Sequence, residues 1–90
     1  PIVNIVEPNE TRSYGVNENI NLKININSTY PLQKIDIFIN DIFLDTLEPP
    51  FNFSFTPSDL ENLRENNELR IISYDTVFNR SESVFEFKVK

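Results

Sequence analysis

The stretch that most constrains what this chain can fold into is Leu32–Leu47, LQKIDIFINDIFLDTL. Apolar Ile35, Ile37 and Ile39 alternate with Lys34, Asp36 and Phe38, the period-2 pattern of a strand with one buried face. Asn40-Asp41 interrupts the pattern, after which Ile42, Leu44 and Thr46 alternate with Phe43, Asp45 and Leu47. Both interrupting residues tolerate positive φ, so the spacing predicts a two-residue type I′ hairpin. An unbroken ladder running from that turn sets Phe38 opposite Phe43 and Asp36 opposite Asp45, all on the outer face.

Further strands can be laid around this hairpin. Pro1–Glu7 (PIVNIVE) reads as a first strand closed by Pro8, and proline suits an edge. Asn9–Glu18 is polar, with Tyr14 and Val16 pinning a loop or a short edge segment. In Asn19–Asn27, Ile20, Leu22, Ile24 and Ile26 alternate with polar residues, as in an antiparallel sheet with one solvated side. After Pro49-Pro50, Phe51, Phe53 and Phe55 recur at period 2 on one face, and each burial is worth roughly 1.5–3 kcal/mol. Thr56-Pro57-Ser58-Asp59 has the form of a helix start, with Thr56 as N-cap and Asp59 closing a capping box. The helix is expected near residues 57–64, short, with Leu60 and Leu63 inward. Glu68–Tyr74 and Phe85–Val89 complete the set, with Asp75–Glu82 as the loop between them. The expectation is an all-β, immunoglobulin-like antiparallel sandwich of about seven strands. Its inner layer is predicted from Ile20, Leu22, Ile24, Ile35, Ile37, Ile39, Phe53, Phe55, Leu69, Ile71, Phe85 and Phe87.

A length of 90 residues accommodates one core and one domain, residues 1–90. A hydrophobic content of 39% is enough to bury that core. The net charge of −6 opposes nucleic acid and anionic membrane, because phosphate binding needs clustered Lys and Arg. No apolar run approaches the length of a membrane span. The only glycine is Gly15, and asparagine takes over the turn positions, being the commonest non-glycine residue in the left-handed region.

Three segments carry a resemblance. They are the opening PIVNIVEP, then IDIFINDIFLDTLEPPFNFSF, and then LRIISYDTVFN. Together they resemble the bacterial immunoglobulin-like (fibronectin-III-like) modules of secreted and cell-surface proteins, found in tandem or at the C-termini of glycoside hydrolases and some penicillin-binding proteins. Ser73 stands where that family usually has Ala, and Phe78 where it usually has Gly. The resemblance implies a spacer, stalk or accessory binding module, excised from a longer secreted or envelope-anchored protein. Its partners would be neighbouring domains of the same chain, a polysaccharide or another surface protein. It implies no reaction.

The residues agree with that expectation. Histidine and cysteine are both absent, which removes the commonest bases, nucleophiles and transition-metal ligands. No catalytic residue and no cofactor is assigned, and the chain is read as a non-enzyme. The candidate partner contacts are Phe38 and Phe43 on the outer hairpin face, with Tyr14 and Tyr30 from loops. Carboxylates at Asp36, Asp45 and Asp75 are the metal candidates, and calcium is the cation that oxygen ligands of this kind would take. The bland alternatives are that Lys34 relieves the Asp36–Asp45 repulsion and that Asp75 caps its own turn. Asn-x-Ser/Thr sequons occur at Asn9, Asn27, Asn52 and Asn79, and matter only in a eukaryotic secretory setting.

Overall fold

In a computed structural model describing residues 1–90, the predicted hairpin forms between β5 (Leu32–Ile39) and β6 (Ile42–Leu47). Asn40 and Asp41 take φ of 51° and 67°, the pair of left-handed conformations that a type I′ turn requires. Phe38 lies opposite Phe43, as expected, but the ladder then slips: Ile37 faces Asp45, Asp36 faces Thr46 and Ile35 faces Leu47. Leu44 is the extra residue of a β-bulge. The expected Asp36–Asp45 opposition is therefore wrong. The bulge carries Thr46 to the outer face, where its hydroxyl donates to Asp36 at 2.6 Å, and turns Leu47 into the core.

The larger sheet has the order β2–β9–β8–β5–β6, where β2 is Ser13–Tyr14, β8 is Asn66–Asp75 and β9 is Arg80–Val89. All its pairings are antiparallel except β2 with β9. The facing layer pairs β1 (Ile2–Glu7) with β4 (Lys23–Asn27), and β3 (Ile20–Asn21) with β7 (Ser54–Phe55). The strand expected over residues 19–27 is thus divided at Leu22, whose N–H bonds Phe53 O at 2.9 Å. Counted as one bent strand, β3 and β4 bring the principal strands to the expected seven, and β2 is the short edge segment. Past the bend Ile26 is 43% exposed although its partner Val3 is buried. Ser83 Oγ closes one side of the sandwich by donating to Val3 O at 2.6 Å.

Between the layers lies one core cluster that includes Ile20, Leu22, Ile35, Ile37, Ile39, Phe55, Leu69, Ile71 and Phe87, all expected. Phe55 stacks at 6.0 Å on Phe53 and meets Phe87 edge-on at 5.6 Å. Ile24, Phe53 and Phe85 reach this cluster only partly buried, while Val3, Ile5, Leu32, Leu47 and Val89 join it fully.

The expected helix shortens to a 3-10 turn, Pro57–Asp59. Pro57 does occupy the first position, but the Thr56 side chain caps nothing and Leu60 is already extended. Backbone groups a second turn would use are claimed elsewhere. Asn40 Nδ2 donates to Asn62 O at 2.7 Å, and Asn67 bonds both the N–H and the C=O of Arg64. Asn40 Nδ2 also donates to Asn67 Oδ1 at 2.9 Å, so one buried amide pair locks this segment to the hairpin turn.

Candidate interaction surface

Alternation on β5 and β6 sends Phe38 and Phe43 out of the larger sheet, where their rings meet edge-on at 5.5 Å. Phe43 is 53% exposed, Phe38 half-buried. The register sets Arg70 of β8 beside Phe38, and its guanidinium lies 4.6 Å over that ring. Arg70 also reaches Glu82 at 3.3 Å and Asp41 at 3.7 Å, while its Nε is buried without a partner. Along the same face Lys34 sits 4.8 Å over the Tyr74 ring. These stacked cations and rings cover Ile72, which is buried although it lies outside the core cluster. The surface is a flat face with one exposed ring at its edge, a geometry suited to contact.

The four expected contact residues do not assemble into one platform. Tyr30 is 46% exposed, but it precedes β5 and so lies at the far end of that strand from Phe38. Tyr14 is only 1% exposed and cannot serve as a surface contact. Its hydroxyl accepts from the Asn9 N–H at 2.7 Å and donates to Glu7 at 2.5 Å, with Arg12 stacked 4.5 Å over the ring. Tyr14 is a corner pin. Burial raises its phenol above the ordinary 10.0; the Asn9 bond opposes that shift and the Glu7 carboxylate adds to it.

The three metal candidates are likewise dispersed. Asp36 accepts from Thr46 on the outer face, and Asp45 accepts from its neighbour's N–H at 2.8 Å. Asp75 is buried at the β8–β9 turn and takes the N–H groups of Val77 and Asn79 and the Asn79 side-chain amide, at 3.0, 2.8 and 2.9 Å. Burial by itself would raise its carboxyl, but the Asn79 and Val77 hydrogen bonds outweigh that and hold it below the ordinary 3.8. The turn-capping reading of Asp75 is the one the geometry follows. No group of three His, Cys, Asp or Glu side chains stands close enough to hold a metal ion.

Sequence reasoning overlooked Arg70, for which cross-strand register was the only signal, and the exposure of Phe78. Among the surface depressions the largest, about 520 Å³, is shallow and lined mainly by Asn21, Lys23, Asn52 and Ser54 with Leu22 and Phe53. It offers amides and a lone ammonium, with no carboxylate pair for acid–base work.

Comparison with protein-family models and with curated proteins gives no match. Among solved structures, the chain superposes on the fibronectin(III)-like modules of Clostridium thermocellum CbhA with a TM-score of 0.78, over 99% of this chain and 96% of that one. The fold is fibronectin(III)-like. At 20% identity the likeness is one of architecture. In this fibronectin(III)-like sandwich Ser73 is buried beneath the sheet, where its hydroxyl meets Ser81 Oγ at 2.7 Å. Phe78 holds φ 68°, a conformation that glycine adopts freely.

Proposed function

We propose that this chain is a non-catalytic module of a larger bacterial extracellular or cell-envelope protein, acting as a spacer or an accessory interaction domain. The observation that carries this reading is how the buried polar side chains are used. Asn40, Asn67, Ser73 and Asp75 are each bonded to backbone or to a neighbouring strand's side chain, so each is committed to holding the fold. A catalytic group has to face a substrate volume instead. The likeness to modules of another protein supports the reading, as does a long axis of 40 Å suited to separating neighbours. The test is an assay of the purified chain against ester, amide and glycoside substrates. Rates equal to those of a heat-denatured control are expected; turnover that tracks the folded protein would overturn the proposal.

One observation favours a polysaccharide-binding role as a second reading: the exposed Phe43 ring braced by Phe38 and Arg70. Affinity electrophoresis in cell-wall and plant polysaccharides tests it. Retardation lost in Phe43→Ala supports this role, and unretarded migration in every gel removes it.

A further inference from the structure

At one end of the sandwich the connecting segments carry no charged side chain, the nearest on the surface being Arg80 and Lys34 at the strand ends. Pro1–Ile2, the Ser28–Pro31 loop after β4 and the Thr76–Asn79 turn meet there. Their proximity follows from the pairing: Ile2 lies opposite Asn27, Leu32 opposite Asp75, and the Thr76 N–H donates to Pro31 O at 3.0 Å. Neither residues 24–33 nor residues 76–79 include an Asp, Glu, Lys or Arg, in a chain that is 24% charged. Exposed Ile2, Ile26, Tyr30, Val77 and Phe78 stand there instead. Depletion of charge with enrichment of aromatic side chains is the compositional mark of an interface core, and a gathered apolar surface marks a contact site.

Phe78 is the most prominent of them, 87% exposed with φ 68°. That conformation is unfavourable for a side chain bearing Cβ, and the bonds to Asp75 hold the turn in it. Strain imposed on a residue that packs against nothing in its own chain points to an outside contact. The opposite end presents a broad, shallow apolar depression. β8 and β9 each run 10 residues, about 33 Å at strand rise. At their far end Val16, Leu63 and Val89 floor an open hollow of about 500 Å³ rimmed by Arg64, Glu65 and Lys90. Its aliphatic floor suits an aromatic ring, on which the Arg64 or Lys90 cation can stack, although Glu65 leaves the rim mixed in sign.

We propose that the Val77–Phe78 tip docks into the Val16–Leu63–Val89 hollow of a second copy of this chain, head to tail. The two surfaces lie at opposite ends of the long axis, so the contact is heterologous and propagates as a line instead of closing. The end face measures 23 × 19 Å, or about 400 Å² per partner, roughly half of what stable free-standing complexes bury. Free copies therefore associate weakly, whereas copies tethered in one polypeptide meet at the millimolar effective concentration of a short linker. Only the tethered case rests on the module reading.

Amide NMR spectra of the isolated chain, diluted from millimolar to micromolar, test this. Concentration-dependent shifts are expected in two sets far apart, around Val77–Phe78 and around Val16, Leu63 and Val89. Phe78→Gly should lose both sets while the remaining spectrum stays unchanged, because glycine fits the turn. An absence of shifts at millimolar concentration, shifts at the Phe78 tip alone, or shifts persisting in Phe78→Gly would each overturn the head-to-tail contact. So would binding of phosphatidylcholine–phosphatidylglycerol vesicles through Phe78 without chain–chain shifts. These results are independent of the substrate assays, whose failure would instead register as turnover.

Discussion

Single polar residues decide how the loops of this domain are held, and Asp75 is the clearest case. Its hydrogen bonds favour the ionised carboxylate and hold its pKa below 3.8. That stabilisation is complete above the unfolded-state value and is lost as pH falls through the lower native value. Asp75→Asn should therefore lower the melting temperature at neutral pH, and the two proteins should converge in strongly acidic solution, checked by thermal melts across pH. A difference that widens toward acid would contradict the assignment. Tyr14 makes the opposite linkage. Its phenol is raised, so its contribution is full below about pH 10 and fades as pH climbs through the native value. Tyr14→Phe removes the acceptor of the part-buried Asn9 N–H and should cost about 0.5–1.5 kcal/mol in urea unfolding. The sequence marked Tyr14 both as a loop pin, together with Val16, and as a candidate contact, and its burial removes the second role. Its depth was not legible, since no periodicity runs through Asn9–Glu18 to show which side faces inward.

At the scale of elements, turn chemistry was readable and register was not. Asn40-Asp41 announced the hairpin because the I′ turn needs two residues tolerant of positive φ. The bulge at Leu44 left no trace, because it closes the apolar run Ile42-Phe43-Leu44, which fits either phase of the alternation. A pair of substitutions tests the bulged register. Leu47→Ala should cost 2–5 kcal/mol as a core truncation. Thr46→Ala should cost under about 1 kcal/mol, the worth of one exposed hydrogen bond. Similar costs for the two, measured by chemical denaturation, would restore the unbulged ladder. The bulge and the exposed Asp45 also blunt β6, the outer strand of its sheet, against pairing with another chain. The shortened helix has a comparable origin. Thr56-Pro57-Ser58-Asp59 satisfies each local rule for a helix start, but isolated helices of one or two turns are marginal. Here Asn40, 22 residues earlier in the chain, takes the Asn62 carbonyl. A contact at that separation is invisible to a local reading.

For the molecule as a whole, the sandwich architecture was legible because period-2 alternation persisted through six of its strands and proline and asparagine fell between them. The site was much less so. The hairpin aromatics were found from register, whereas the apolar end is assembled from segments far apart in sequence and emerges only once the strands are paired. The central claim of the spacer reading is that the domain's stability comes from its own core and polar locks, with no bound ligand. A thermal melt of the isolated chain with calcium, with chelator and with soluble glycans tests that claim most directly. The account predicts one melting temperature across the whole panel. A rise of several degrees with calcium, reversed by chelator, or with a single glycan would contradict it, because only a ligand bound by the native state shifts the transition.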